Sequence, residues 1–492
     1  MNGITEHEKG DVSPPEHYEE KNYGTTDTQL ESLSLNEKAI VRKIDYRLVP
    51  WLSLLYLLSF LDRTNIGNAN LFGLSKDLKL KVNEYAACLA LFFAFYVLFE
   101  VPSNMVMKAW RPAMWLPIIM LAWGGVMVGM GFVQNYHGLL VARIFLGITE
   151  AGLFPGVSFF LTQWYRRYEI NFRIAMFFSA ATAAGAFGGL LARLINLMDG
   201  VAGYQGWRWI FILEGIATVV VAIASFWMLY DYPDTAKFLS PEEKAFVVNR
   251  LKLDNDGLSH EYKTKFIKDA FFDWKVWAFA FMFHFCLMPV YSFSLFSPTL
   301  VANLGYTAAR AQLLSVPPYV LAAITTVLAG WLSDRAQMRA PYIMIFSAIG
   351  ALGFTLLIAT NIPGVQYTGL FLAAAGGYPL IPLVVSFGAN NAGGSLKKGI
   401  STAIIVSVGN AGGCISAFTY PRTTAPRYFQ GHAINLAYDV ACFLVAGFMW
   451  LYLRKQNAAK DARNAQRGPW TAEERAAHAD EGDKVDFFKY TL

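Results

Sequence analysis

Four ionisable residues stand in stretches that are otherwise apolar: Asp62 and Arg63, which are adjacent, and Arg143 and Glu150, which are seven apart. A charge at the centre of a membrane helix costs about 2.5–3.5 kcal/mol on insertion scales, so such residues mark substrate or ion pathways. Seven residues are about two helical turns, which puts Arg143 and Glu150 on one face. Asp62 and Arg63 project roughly 100° apart around their helix. Desolvation and a neighbouring cation act on a carboxyl in opposite senses, so a buried acid beside an arginine can be tuned to exchange a proton. Asp62 and Glu150 are therefore the expected proton carriers. The planar fork of Arg63 suits a carboxylate ligand. Arg143 would tune Glu150 or serve as a second carboxylate partner. A static network, Asp62 with Arg143 or Arg63 with Glu150, would use the same residues to hold helices together. Glu100 and Arg193 also lie within or near apolar stretches.

A second tier of polar residues could contact a ligand. Asn390, Asn391 and Asn410 carry amides that both donate and accept, and interhelical hydrogen bonding is their alternative role. His284 and Tyr291 are seven apart and share a helical face. Tyr96, Phe95 and Tyr378 could stack on an aromatic substrate. With aromatic residues at 15% of the chain, most of them must face lipid or core.

The elements that must position these residues follow from composition. The chain has 492 residues, 55% hydrophobic and only 16% charged, with a mean hydropathy of +0.35. Soluble domains carry about 25% charged residues, so a water-facing surface for this length is excluded. Apolar stretches recur at 49–66, 85–107, 113–133, 138–161, 172–197, 207–230, 274–297, 312–333, 341–360, 366–387, 400–420 and 432–453. They are apolar throughout rather than alternating, so helices satisfy the backbone in the bilayer and a barrel does not. The expected fold is an all-α polytopic membrane protein of twelve transmembrane helices in two six-helix pseudo-symmetric bundles. Its parts are a disordered cytoplasmic tail (1–40), a first bundle (41–230), a central loop (231–273), a second bundle (274–453) and a C-terminal tail (454–492). Within the central loop, Ser240-Pro241-Glu242-Glu243 reads as the start of a short amphipathic helix, with Ser240 as cap and Glu243 at the third position. Lys and Arg are concentrated in alternate short loops, which places both termini in the cytoplasm.

The halves look related. Gly185-Ala186-Phe187-Gly188-Gly189 and Gly409-Asn410-Ala411-Gly412-Gly413 share a pattern 224 positions apart, in the fifth and eleventh stretches. Ser103 and Ser333, at the ends of the second and eighth, align with an offset of 230. Such repeats are common in secondary transporters. The tract Gly330-Trp331-Leu332-Ser333-Asp334-Arg335-Ala336-Gln337-Met338-Arg339 resembles the GxLxDRxxxR loop motif of the major facilitator superfamily. Leu61-Asp62-Arg63-Thr64-Asn65-Ile66-Gly67-Asn68-Ala69 is similar to the first-span signature of its anion:cation symporter branch. So are Arg143 to Gly152 with Pro155-Gly156, Glu100-Val101-Pro102-Ser103-Asn104, Gly206-Trp207-Arg208-Trp209-Ile210 and Asn390-Asn391-Ala392-Gly393-Gly394. The resemblance covers about residues 40–455 and is nearest to the fungal allantoate permeases. These import nicotinate, pantothenate, allantoate and related anions with protons. It implies proton coupling at Asp62 and Glu150 and substrate contacts at Arg63 and Arg143. The position of Asp334, Arg335 and Arg339 implies a cytoplasmic gate, with Asp334 at a helix end and the arginines partnered across the interface between halves.

Several function classes are excluded. There is no GxxxxGK[ST] phosphate loop, no GxSxG elbow and no histidine pair at metal-ligand spacing. Cys88, Cys286, Cys414 and Cys442 are scattered in apolar stretches and form no disulfide framework. A net charge of +5 without a basic patch gives no nucleic-acid partner. The chain is expected to be no enzyme and to need no cofactor. It is expected to be a monomer in the plasma membrane, importing a small organic anion with protons by alternating access. Substrate contacts are expected at Arg63, Arg143, Tyr96, Asn391 and His284. An exporter of the same fold or a non-transporting nutrient sensor are the alternatives.

Overall fold

A computed structural model describes residues 36–81, 83–254, 264–468 and 470–492. The expected N-terminal tail lies almost wholly outside these residues. Among the described residues, twelve helices are long and apolar enough to cross a membrane, and there is no strand. They are α1 (Glu37–Leu71), α2 (Glu84–Ala109), α3 (Pro112–Met130), α4 (Tyr136–Thr162), α5 (Arg167–Ile195) and α6 (Gly206–Met228), then α7 (Trp274–Ala302), α8 (Ala308–Ala336), α9 (Ala340–Ala359), α10 (Pro363–Asn390), α11 (Lys397–Ser416) and α12 (Phe429–Arg467). Each expected stretch coincides with one of them. Two are interrupted: α4 breaks at Ala151-Gly152 and α11 at Ala411.

The first six helices pack on one another, chiefly α3 on α6, α1 on α5 and α2 on α4. The last six do the same, with α9 on α10 and α12 and α7 on α11. The two sets meet where α5 crosses α8, α2 crosses α11 and α1 crosses α7. Gly185, Gly189 and Gly413 of the repeated glycines lie at these crossings. A Cβ on Gly185 would meet the Tyr319 ring at 2.3 Å, and one on Gly413 would meet the Phe93 ring at 2.2 Å. Each glycine thus lets an aromatic ring from the opposite set press against its helix.

One end of the molecule carries two different closures. The central-loop helix Pro241–Asp254 begins with the expected reciprocal cap, Glu243 N–H donating to Ser240 Oγ at 3.2 Å and Ser240 N–H to Glu243 Oε2 at 2.8 Å. It clasps the starts of α1 and α5. Lys43 pairs with Glu243 at 2.7 Å, and buried Arg250 pairs with Glu37 at 2.8 Å and with Glu169. The C-terminal region differs from a simple charged tail: α12 runs on to Arg467, and residues 479–492 fold back onto the last six helices. Asp483, 1% exposed, sits between Lys397 at 2.6 Å and Lys275. Lys460 donates to the carbonyls of Asp483, Val485 and Phe488 at 2.6–2.9 Å. Burial pushes the Asp483 carboxyl up, but the Lys275 and Lys397 ammonium groups outweigh it and hold its pKa at about 2.

Candidate functional site

Helix α1 carries the site because its middle turns present polar residues on two faces. Ser59 and Arg63 are four apart and share one face; Asp62 looks elsewhere. Arg63, 3% exposed, donates through Nη2 to Glu150 Oε1 at 2.6 Å and through Nε to the same oxygen at 3.1 Å. Ser59 Oγ donates to that oxygen at 2.6 Å. Glu150 is fully buried where α4 breaks, and its other oxygen has no hydrogen-bond partner. The break frees the chain from continuous helix one residue after the carboxyl that α1 receives.

From Arg63 the network crosses to the other six helices. Arg63 Nη1 donates to Tyr291 Oη at 3.1 Å, and Tyr291 donates to Asn410 Oδ1 at 2.7 Å. Asn410 Nδ2 returns to the first set, donating to Glu100 Oε2 at 3.2 Å. The guanidinium also lies over the Tyr96 ring, 4.7 Å from its centre. A narrow gap lies beside it, with Arg63, Tyr96, Tyr291 and Asn410 as polar walls and the rings of Tyr56, Phe60 and Phe178 among the apolar ones. A cation and hydrogen-bonding groups in an aromatic enclosure suit a flat anionic molecule.

The other expected residues fall in three groups. Asp62 faces α3 and α6, not the cavity: Trp123 Nε1 and Thr218 Oγ1 donate to its Oδ2 at 3.1 and 2.9 Å. Arg143, 1% exposed, lies over Phe92 with Nε and Nη2 lacking hydrogen-bond partners. It forms no ion pair with Glu150 despite sharing its helix face, because Arg63 reaches that carboxylate from α1. Asn391 and His284 do not line the cavity. Asn391 donates to the Phe387 and Thr491 carbonyls at 2.9 and 3.1 Å, beside the folded-back C-terminal segment. His284 Nδ1 lies 2.9 Å from the Val408 carbonyl and its ring packs on Tyr438. The i, i+7 spacing to Tyr291 holds only for a straight regular helix, and Pro289 lies between the two. Arg193 is exposed near the end of α5.

At the loop between α8 and α9, Asp334 Oδ2 accepts the Phe172 N–H of α5 at 2.9 Å, which bridges the two sets. Arg339 is buried and pairs with Asp334 at 2.5 Å from the same side of the interface. Arg335 is exposed over Trp331. The bridge across the interface thus includes a backbone donor of α5. Two acids buried within the described spans were not anticipated from the sequence, Glu214 in α6 and Asp439 in α12. Both interrupt apolar runs as Asp62 and Glu150 do, so the same signal marks them.

Twelve spanning helices around a central charged cavity define a membrane transporter, and the chain belongs to the major facilitator superfamily, whose family model matches residues 52–417. It is 36% identical to the MFS-type transporter cnsO of Penicillium expansum over 93% of this chain and 91% of that one. It is 32% identical to the high-affinity nicotinic acid transporter of Saccharomyces cerevisiae, over 92% and 85%. Among solved structures, the proton:xylose symporter XylE shares the fold with a TM-score of 0.62 at 17% identity, covering 82% of this chain and 95% of that one. The relatives and the fold are those of transporters, and the chain is no enzyme.

Proposed function

We propose that this chain is a proton-coupled importer of a small organic anion bearing a carboxylate, of which nicotinate, pantothenate and allantoate are the models. The observation that carries this reading is that the cavity's guanidinium is already paired with a titratable carboxylate, Glu150 at 2.6 Å. A substrate carboxylate entering the aromatic enclosure competes for the Arg63 fork. Glu150 then loses its cation in a water-poor site, where an unpaired charge costs several kcal/mol and protonation relieves that cost. Anion and proton thereby bind together. Tyr96, Tyr291 and Asn410 would orient the substrate, and Arg143 adds positive potential from α4. Alternating access follows from rocking of α1–α6 against α7–α12 about the network. The Asp334–Phe172 bridge and the Arg339 pair close one end. Both termini are cytoplasmic, and the membrane is the plasma membrane. The nicotinic acid transporter among the relatives supports this substrate class.

The test uses labelled nicotinate as the first probe, in a transport-null host, with a panel of competing carboxylates. Wild type should accumulate it at acid external pH. Glu150→Gln should lose accumulation and retain exchange of internal for external substrate. Full accumulation by Glu150→Gln would refute the proton role of that residue.

A further inference from the structure

Glu214 is 3% exposed in α6, and neither of its carboxyl oxygens has a hydrogen-bond partner. Four residues along the same helix, and so on the same face, Thr218 donates to Asp62, which is itself fully buried and has Oδ1 unpartnered. Glu214 therefore shares the face of α6 that meets Asp62 of α1 through Thr218, with Trp123 of α3 as the other donor to Asp62. The charged groups bearing on Asp62 are Glu150 and Arg143, both from α4; on Glu214 only Asp62 bears. No cation forms an ion pair with either acid among the described residues. A bare carboxylate without donors is prohibitively costly in such a place, so Glu214 must hold a proton. Asp62, with two donors, is the member fitted to carry the negative charge.

The related half of the molecule sharpens the point. Asp439 of α12 stands 225 positions after Glu214, close to the offset of the glycine repeat, and is likewise buried with both oxygens unpartnered. A Cβ on Gly350 of α9 would meet its Oδ2 at 2.6 Å, so it packs on the third helix of its own set. The position matching Asp62 falls in the apolar tract Cys286–Leu287–Met288. Both halves keep an acid in the last helix, and only the first half supplies a second one.

We propose that Asp62 and Glu214 form a second proton-holding site, a carboxyl pair separate from the substrate cavity and loaded alongside Glu150. It deepens, and rests on, the importer reading above. None of Asp62, Trp123, Glu214 and Thr218 lines the cavity, so the substrate anion does not compete for this site. Its charge state reaches the substrate through α1, where Asp62 adjoins Arg63. A monoanion carried with one proton moves no net charge; a second proton lets the membrane potential drive uptake, at about 2.3 kcal/mol per 100 mV per charge.

Two measurements on the full-length purified protein test this. Infrared pH-difference spectra in detergent should show a protonated-carboxyl stretch that Glu214→Gln and Asp62→Asn each abolish and that Glu150→Gln leaves in place. Two bands that survive each other's removal, or a band indifferent to Glu214→Gln, would overturn the pair whether or not nicotinate is the cargo. In proteoliposomes, proton uptake per nicotinate should fall by half in Glu214→Gln, and stimulation by an inside-negative potential should vanish. Unchanged stoichiometry and voltage response would overturn the coupling role. Wild type that moves no carboxylate would refute the importer reading alone and leave the infrared result to decide the pair. Thermal unfolding of each variant confirms that the isosteric change leaves the fold intact.

Discussion

The two six-helix sets share a packing plan and differ in where they keep charge. In α1–α6 the buried interior holds Asp62, Arg63, Glu100, Arg143, Glu150 and Glu214. In α7–α12 the interior around the cavity offers phenols, hydroxyls and amides, and among the described residues Asp439 is the lone fully buried acid of these helices. The fully buried charges of the second set otherwise gather at one end, in Arg339, Lys397 and the Lys460–Asp483 cluster. A division of labour follows. The first set carries the groups that can change charge. The second contributes neutral groups that reach across, Tyr291 accepting from Arg63 and Asn410 donating to Glu100.

Four experiments break or sharpen this contrast. The largest effect is expected at the charge-bearing side. Arg63→Ala leaves Glu150 buried without its cation, a loss of about 2–5 kcal/mol for a truncated buried pair. Nicotinate uptake should fall about 100-fold, since 1.4 kcal/mol is a factor of ten. Arg63→Lys, which keeps charge without the fork, should recover only part of it. Uptake of Arg63→Ala within twofold of wild type would dissolve the contrast.

The second concerns the neutral side's own charges. Asp483→Asn strands Lys275 and Lys397, which then share only Asp273. Opening of residues 479–492, followed by hydrogen exchange, should become easier by about 3 kcal/mol, with transport coupling intact. The Asp483 carboxyl titrates at about 2 against an ordinary 3.8. Its stabilisation is therefore fully present above about pH 4 and lost as pH falls through 2.

Third, Tyr291→Phe removes one hydrogen bond from Arg63 and one to Asn410. A bond to a charged group is worth about 1.5–3 kcal/mol, so affinity for nicotinate should weaken about tenfold in a competition assay. An unaltered affinity would detach the second set from substrate recognition. The smallest effect is expected at Asp439→Asn, the related position that lacks a second carboxyl. Proton stoichiometry and pH profile should match wild type; a change as large as that of Glu214→Gln would erase the asymmetry.

Much of the fold was legible because membrane helices announce themselves by length and apolarity. The reciprocal cap at Ser240 and Glu243 was legible too, because its four residues are consecutive. The charged site was half legible. Misplaced charge pointed to Asp62, Arg63, Arg143 and Glu150, but pairing is a tertiary fact. Sequence spacing put Arg143 with Glu150, while the pair that forms, Arg63 with Glu150, joins α1 to α4 and was named only within the static-network alternative. Tyr291 reaches Arg63 and Asn410 reaches Glu100 from more than 200 residues away, and no local pattern encodes that. Asn391 looked like a ligand residue because amides are versatile; its partner is a carbonyl of the C-terminal segment, 100 positions on.

The Arg63–Glu150 pair has one more consequence, for the return stroke. With the pair closed, the empty cavity holds a plus and a minus charge on a single oxygen–guanidinium contact and presents no net charge to the electric field. With the charges of Asp62 on α1 and Arg143 on α4 also cancelling, reorientation of the unloaded protein then does little work against the membrane voltage. Any voltage sensitivity of turnover belongs to the loaded limb of the cycle. Pre-steady-state currents should accordingly appear on adding substrate and be absent from voltage jumps applied to the empty protein.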